Sequence, residues 1–273
     1  MSNNYKKWLF VSDIDGTLND KRLRLPENNR LAIADYVRHG GNFTLASGRN
    51  LQSLAIHYKK LGVETPAIFL NGAGIYDFSE NKMLKYNPIT AEGEEVVLNT
   101  LAENKFLQLT IFTPNKLYRV KRSCLYGYYI AKIDNLDCEL CKTTADIPRG
   151  NWGKVTFCGL PKQLAKLQVF FNAHPLFQCF LTSPYSLEIV KKGVNKGNAL
   201  LELSEILGIE NSNTAAIGDY YNDVDMLKVV GHPACCGQAP DDIKSLCEYV
   251  ACHCNDGAVA DFLGYIQNKY IEE

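Results

Sequence analysis

The chain has 273 residues, of which 46% are hydrophobic and 22% charged, so its length and composition predict about two ordinary globular domains. The net charge of -1 supplies no electrostatic field that would gather nucleic acid or an anionic membrane surface, and we exclude both as partners. The N-terminus runs into an apolar strand without a signal-peptide core, and no window approaches the roughly 18 uncharged apolar residues of a membrane span. We therefore predict a cytoplasmic protein.

The first predicted strand ends in two carboxylates. Trp8 to Val11 is continuously apolar, as in a strand covered on both faces, and Asp13 and Asp15 follow before a turn at Gly16. Both carboxylates therefore lie at the carboxyl end of a strand, where open α/β sheets bind ligands. The pattern is typical of a phosphoryl-transfer site that combines a nucleophile, a proton carrier and a metal ligand. An acidic turn without chemistry is the alternative at this point.

A calcium-binding loop also begins with alternating acids, but its spacing does not fit here. Gly16 is the fourth residue counted from Asp13, whereas such a loop needs glycine at the sixth position. Arg24 stands where the loop requires glutamate, and a strand rather than a helix leads in. We exclude calcium for this motif.

Two further strands end in small polar residues. The apolar periodicity predicts a helix from Pro26 to His39 and another from Leu51 to Leu61. The strand that ends at Ala46 is followed by Ser47-Gly48-Arg49, and the strand from Ala67 to Leu70 is followed by Asn71-Gly72. This order predicts an α/β fold with a Rossmann-like, doubly wound parallel sheet whose binding edge faces one way.

The pattern changes beyond Asp77. We predict helices near 91–104 and 162–173, strands near 107–113, 117–122, 154–158, 178–182 and 186–190, and an aromatic cluster at Tyr126, Tyr128 and Tyr129. Strand and helix still alternate here, but the glycine-ended strands disappear. We therefore predict a smaller α/β domain at residues 84–190, inserted into a core domain formed by residues 1–83 and 191–273.

The first pattern returns near the C-terminus. Lys196 opens a predicted helix that runs to about Leu207, and a strand from Thr214 to Gly218 is followed by Asp219, Asn222 and Asp223. A strand at 234–237, a helix at 241–248, a strand at 249–252 and a helix at 259–268 complete the predicted core domain.

Ten cysteines would suit a disulfide framework in a much shorter secreted chain. Here the length and the missing export signal favour reduced thiols. Cys138-x-x-Cys141 and Cys252-x-Cys254 have zinc-like spacing, but the two pairs lie far apart in the chain, and we assign no cysteine a role.

Four motifs in this order resemble the haloacid dehalogenase-like hydrolase superfamily, and within it the Cof-type phosphatases with a class IIB α/β cap. Asp13-Ile-Asp-Gly-Thr-Leu18 is similar to the first family motif and Ala46-Ser-Gly-Arg49 to the second. Lys196 within Gly-Val-Asn-Lys-Gly is similar to the third, and Gly218 to Leu227 to the fourth. The resemblance covers nearly the whole chain, and the four motifs are specific only in combination.

The resemblance implies a role for each acidic and basic residue of the motifs. Asp13 would be the nucleophile that forms an aspartyl-phosphate, and Asp15 the general acid and base. Mg²⁺ would be bound by the Asp13 carboxylate, the Asp15 backbone carbonyl and Asp219, with Asp223 steadying these ligands. Lys196 would donate to a phosphoryl oxygen. Taken alone, Lys196 would instead be an ordinary solvated surface lysine.

The resemblance also implies phosphate contacts from the Ser47 hydroxyl, the Ile14 and Gly48 amides and Asn222. Taken alone, Ser47 would more simply be a helix N-cap. Asn71 is a possible substrate contact or a plain turn residue. Arg49 could pair with an acid or face the substrate.

The implied function is Mg²⁺-dependent hydrolysis of small phosphorylated metabolites, with sugar phosphates as the leading class. Asp15 favours a phosphatase over a pump-type ATPase, which has threonine at that place. A sugar-phosphate mutase and a non-turnover module that only accepts phosphate remain alternatives. The inserted domain would act as a cap that selects the substrate. Its residues Arg119, Lys121, Arg122 and Tyr126 to Tyr129 could form a specificity surface or simply a half-exposed strand. The sequence does not indicate the physiological substrate or the oligomeric state.

Overall fold

A computed structural model describes residues 4–104, 106–120 and 138–272. The chain divides into two compact units, the first formed by Met1–Gly48, Leu54–Lys85 and Asn195–Glu273, the second by Arg49–Ser53 and Tyr86–Val194. Both units combine helices with strands, which confirms the predicted α/β class. Within the described ranges, no helix combines the length and the apolar character needed to cross a membrane.

The first unit contains a five-stranded parallel sheet in the order β14-β13-β12-β1-β2. Its strands are β1 (Leu9–Ser12), β2 (Asn42–Leu45), β12 (Thr214–Gly218), β13 (His232–Cys236) and β14 (Tyr249–Ala251). The strand order reverses on either side of β1, as expected for the predicted doubly wound topology. Because β1 is central, its carboxyl end lies between those of β2 and β12.

The helices that lie wholly or mostly in the first unit are α1 (Glu27–Arg38), α2 (Leu51–Leu61), α5 (Lys196–Leu207), α6 (Val224–Val229), α7 (Asp241–Lys244) and α8 (Ala258–Ile266). All four residues of β1 are buried, which explains its continuous apolar run. Leu9 and Val11 share one core cluster with Leu200 and Leu203 of α5. Each such buried aliphatic side chain contributes about 1.5 to 3 kcal/mol, so this packing holds α5 against the sheet.

The third predicted strand does not continue the parallel sheet. β3 (Ala67–Phe69) meets the end of β2 at one bridge between Ala46 and Ile68, and otherwise belongs to a three-stranded sheet with β4 (Gly74–Asp77) and β5 (Lys82–Tyr86). The reason is local, because Asn71 and Gly72 adopt φ angles of 57° and 94° and reverse the chain. β4 then pairs antiparallel with β3, and neither β4 nor β5 had been predicted.

The second unit contains a six-stranded sheet in the order β10-β11-β9-β6-β7-β8, antiparallel except for the β7 and β8 pair. Its elements are α3 (Ala91–Glu103), β6 (Gln108–Phe112), β7 (Leu117–Val120), β8 (Cys138–Cys141), β9 (Lys154–Cys158), α4 (Pro161–Ala173), β10 (Phe177–Ser183) and β11 (Ser186–Lys191). One apolar cluster joins residues of both helices to inward-facing residues of the sheet. β8 had not been predicted.

A buried ion pair fixes one loop of the second unit to α3. Glu94 is fully buried, and its carboxylate accepts hydrogen bonds from Arg149 Nε at 2.6 Å and from the Gly150 amide at 2.8 Å. Arg149 also reaches the exposed Glu95 carboxylate at 2.6 Å. The two glutamates therefore share one arginine but differ in burial.

Two sequence expectations fall partly or wholly outside this description. Lys121, Arg122 and the cluster Tyr126 to Tyr129 lie outside the described residues. Arg119 lies on β7, where it is half-buried between buried neighbours and its Nε donates to Thr110 Oγ1 at 3.2 Å. The helix predicted at 241–248 is also shorter than expected. It ends at Lys244, and the Ser245 hydroxyl then donates to the Asp242 carbonyl oxygen at 2.6 Å.

Candidate active site

Three acidic residues and one lysine meet at the carboxyl edge of the parallel sheet. Asp13 follows β1, and its amide donates to the Ile217 carbonyl of β12 at 3.0 Å. Lys196 is the first residue of α5, and its Nζ donates to Asp13 Oδ1 and to Asp223 Oδ1, each at 2.6 Å. The structure thus brings together residues from three of the four motifs.

Lys196 is completely buried, so it is not the surface lysine that the sequence alone would suggest. Burial alone would lower the pKa of Lys196, but the negative charges of Asp13 and Asp223 and the hydrogen bonds that Lys196 donates to both carboxylates outweigh burial and raise it. The lysine is therefore a permanent cation beside Asp13. Such a fixed charge can stabilise negative charge that develops on a bound group.

Asp223 uses both carboxylate oxygens within the protein. Oδ1 accepts from Lys196, while Oδ2 accepts from the backbone amides of Asp219 at 3.0 Å and Tyr220 at 3.3 Å. A Cβ on Gly218 would collide with the Asp223 carboxylate, so only glycine lets this loop close so tightly. Asp223 therefore holds the loop that carries Asp219.

The acidic cluster can hold a divalent cation. Asp13, Asp219 and Asp223 each offer one oxygen, and these oxygens lie within 4.8 Å of one another. Gly16 has a φ of 85°, and a Cβ there would run into the Asp219 carboxylate, so the turn leaves room for that group. An all-oxygen set of carboxylates suits a hard cation such as Mg²⁺. In the part of the chain that the structure describes, neither cysteine pair joins such a group, and the described cysteines form no disulfide with one another.

Two carboxyl groups of the cluster have raised pKa values. Burial, followed by the Asp223 charge, raises the pKa of Asp219 to about 7. Burial also raises the pKa of Asp13 well above its usual range, although Lys196 acts in the opposite direction. One lysine thus leaves the negative charge of three carboxylates incompletely balanced, and a bound cation would favour their ionised forms.

The remaining predicted residues lie in the segments that follow β1, β2 and β12. Ile14 is buried and Asp15 is exposed in the turn after β1. Asn222 is half-buried in the same 3-10 turn as Asp223. Gly48 is half-buried after β2.

Ser47 and Asn71 occupy neighbouring strand ends. Ser47 is 1% exposed, and its backbone carbonyl accepts from the Asn71 amide at 2.9 Å. Ser47 is not a helix cap, because α2 is capped by Asn50, whose Oδ1 accepts from the Ser53 amide at 3.1 Å. The turn after Asn71 packs so closely on the Asn195 carbonyl that a Cβ at Gly72 would collide with it. Asn71 therefore lies beside the start of α5.

Sequence reasoning missed Gln238, which follows β13. Its Nε2 donates to the Gly16 carbonyl at 2.6 Å, its Oε1 accepts from the Cys254 amide at 3.1 Å, and it also hydrogen-bonds to Asp219. Gln238 thus ties the turn of the first motif to Asp219. The only sequence indication was its place after a strand on the same sheet edge.

The fold and the site define a doubly wound α/β protein with a lysine-bridged carboxylate cluster that could hold a cation. The chain belongs to the haloacid dehalogenase-like hydrolase family, whose model matches residues 10–263. The resemblance drawn from the four motifs is thereby confirmed.

Relatives and solved structures match the chain over nearly its full length. It is 29% identical to the HMP-PP phosphatase of Serratia proteamaculans over 96% of this chain and 97% of that protein. It superposes on a haloacid dehalogenase-like hydrolase from Bacteroides thetaiotaomicron with a TM-score of 0.85 and 23% identity, covering 95% of this chain and 99% of the other. A structure described as a HAD subclass IIB sugar phosphatase matches with a TM-score of 0.82 and 18% identity, covering 95% and 98%. The two structural likenesses support the fold.

Proposed function

We propose that this haloacid dehalogenase-like hydrolase is a Mg²⁺-dependent phosphatase of small phosphorylated metabolites that acts through an aspartyl-phosphate at Asp13. The observation that carries the proposal is the buried Lys196, which bridges Asp13 and Asp223 beside Asp219. A carboxylate that approaches a phosphate dianion meets repulsion of about 8 kcal/mol at 4 Å and an effective dielectric near 20. The site supplies one fixed positive charge, that of Lys196, and carboxylates that would hold a divalent cation.

In the proposed reaction, an oxygen of Asp13 attacks phosphorus while the bond from phosphorus to the ester oxygen breaks. Asp15 gives its proton to that oxygen, so the product leaves as a neutral alcohol. Asp15 then takes a proton from water, whose oxygen attacks the same phosphorus and breaks its bond to Asp13. Phosphate leaves, and the Asp13 carboxylate and the protonated Asp15 are restored.

Mg²⁺ would be held by the carboxylates of Asp13 and Asp219 and the backbone carbonyl of Asp15, and when bound it supplies positive charge for the phosphoryl oxygens. Asp223 supports this set through the hydrogen bonds that hold the Asp219 loop. Lys196 lies close enough to Asp13 to serve the same phosphoryl group. Ser47, Asn222 and the backbone amides of Ile14 and Gly48 are the proposed phosphate contacts, and Asn71 is a proposed substrate contact.

Sugar phosphates are the proposed leading substrate class. The motif set is complete, and the second unit is proposed to act as a cap that selects small substrates. The Serratia relative is named a phosphatase. The structural neighbour described as a sugar phosphatase is only 18% identical and supports the fold alone. A cytoplasmic location stays a prediction.

The test is a panel of phosphorylated sugars, nucleotides and cofactors, assayed for phosphate release with and without Mg²⁺. Asp13→Asn should lower turnover by roughly 10⁴-fold or more while the circular dichroism spectrum stays unchanged. Asp241→Asn, which changes a fully exposed aspartate, is the matched control and should leave activity intact. Appreciable activity in Asp13→Asn would contradict the covalent route.

The same panel separates the two alternatives. Isomerised sugar phosphate without phosphate release would indicate a mutase. A stably phosphorylated protein in excess Mg²⁺ would indicate a module without turnover.

A further inference from the structure

Asn19 and His57 form a buried polar pair at the end of the turn of the first motif. Asn19 Nδ2 lies 3.1 Å from His57 Nε2, and the two residues are only 2% and 9% exposed. Asn19 ends the turn that follows β1, whereas His57 lies within α2. Both belong to the first compact unit.

The chemistry of the pair fixes which group donates. An amide nitrogen is a donor only, so His57 Nε2 must accept and the ring proton must lie on Nδ1. Both side chains are buried, so water has little access to either partner. Replacing one partner by an apolar residue would leave the other buried without this hydrogen bond. The pair therefore holds the side chain of Asn19 in one position.

The backbone of Asn19 also hydrogen-bonds within the turn of the first motif. Its amide donates to the Ile14 carbonyl at 2.9 Å, and Asn19 forms a β-bridge with Asp15. The Leu18 amide donates to the Asp13 carbonyl at 3.2 Å. Asp15 belongs to this turn, so a shift of the turn's backbone also moves its carboxyl group.

We propose that His57 is a positioning residue which, through Asn19, fixes the turn that presents Asp15 to the leaving oxygen. The inference rests on the proposed function, in which Asp15 gives its proton to the ester oxygen as the bond to phosphorus breaks. Proton transfer requires hydrogen-bond distance between Asp15 and that oxygen. A shift of about 1 Å at such a site lowers the rate by roughly 100-fold.

The experiment compares two substrates of similar size that differ in their need for a proton. Benzyl phosphate releases an alkoxide that must be protonated, whereas p-nitrophenyl phosphate releases a stable anion. The measured quantity is kcat/KM, which reports only the steps up to alcohol release and so excludes the later hydrolysis that both substrates share. Wild type and the variants His57→Leu and His57→Gln are assayed with Mg²⁺.

His57→Leu should lower kcat/KM for benzyl phosphate by about 10- to 100-fold and for p-nitrophenyl phosphate by less than about 3-fold. His57→Gln should restore most of the loss, because its amide oxygen can accept from Asn19 Nδ2. Equal losses on both substrates, or no loss in His57→Leu, would overturn the inference. A wild-type protein that hydrolyses neither ester would instead contradict the proposed function.

A double variant, Asn19→Leu with His57→Leu, covers the case in which His57→Leu does not fold. It removes both polar partners together, so neither Asn19 nor His57 is left buried without the other. The preferential loss on benzyl phosphate should persist in this variant. Wild-type kcat/KM on both substrates would show that the pair serves stability alone and would overturn the inference.

Discussion

Replacing Lys196 with methionine should destabilise the protein strongly at alkaline pH and only weakly at mildly acidic pH. Methionine keeps a long buried side chain but removes the charge that joins Asp13 and Asp223. Each ion pair has an N to O distance of 2.6 Å, which corresponds to about 6 kcal/mol of attraction at an effective dielectric near 20. Most of this attraction offsets the desolvation of the three buried charges, so the net effect depends on what remains without the lysine.

What remains is the repulsion between two carboxylates. One oxygen of Asp13 and one of Asp223 lie within 4.8 Å, which implies at least about 3.5 kcal/mol of repulsion at the same dielectric. Protonating one carboxyl avoids this repulsion and costs about 1.4 kcal/mol for each pH unit above an ordinary pKa near 4. That cost is about 5.5 kcal/mol near pH 8, which exceeds the repulsion, but only about 1.4 kcal/mol near pH 5.

We therefore expect Lys196→Met to lower the free energy of unfolding by about 3.5 kcal/mol near pH 8 and by about 1.4 kcal/mol near pH 5. The sign follows because buried carboxyls with raised pKa values lose stability as the pH rises. Urea unfolding without divalent cations, followed by circular dichroism at both pH values, measures the difference. Lys228→Met, which changes an exposed lysine of α6, is the control and should shift stability by less than about 0.5 kcal/mol. Equal losses at the two pH values would refute the reasoning.

Three further outcomes test the site and the second unit. Mg²⁺ binding should weaken as the pH falls through about 7, since burial raises the pKa of Asp219 to that value and the cation needs the ionised carboxylate. Calorimetry that gives the same affinity on both sides of pH 7 would contradict this expectation. Gly16→Ala should reduce Mg²⁺ affinity roughly 10-fold in the same calorimetric titration, because the added Cβ meets the Asp219 carboxylate. Gly62→Ala is the control and should leave Mg²⁺ affinity unchanged, because Gly62 has a similar positive φ of 64° but open space around it. Glu94→Gln should lower the free energy of unfolding by about 2 kcal/mol, because Glu94 is buried, and exposed Glu95→Gln by less than about 0.5 kcal/mol. Urea unfolding measures both values. Equal losses would show that burial does not decide the strength of these ion pairs.

The convergence of the site could be predicted because it follows from a general property of parallel sheets. β1 and β12 pair in parallel, so residues that directly follow them must meet at one edge. This argument applies to Asp13 and Asp219 without any knowledge of their side chains. The burial of Lys196 could not be read in the same way, because a lysine at the start of a helix is usually solvated.

The errors have a common physical origin in tertiary context. β5 alternates too weakly to be distinguished from a loop, and its pairing with β4 depends on the reversal at Asn71 and Gly72. A non-glycine residue at positive φ leaves little trace in a single sequence. Gln238 was missed for a related reason, because its role rests on contacts with Gly16 and Cys254 that only the folded chain creates.

The distance along the chain between Asp13 and Lys196 has a consequence for biosynthesis. These partners are separated by 183 positions, and Asp223 lies a further 27 residues beyond Lys196. A nascent polypeptide therefore carries Asp13, the proposed nucleophile, early but cannot pair it with Lys196 until that residue has also left the ribosome. Residues Tyr86–Val194 emerge in between as one continuous stretch with a core of their own. Activity should consequently appear late during translation, and polypeptides that stop before Lys196 should be inert.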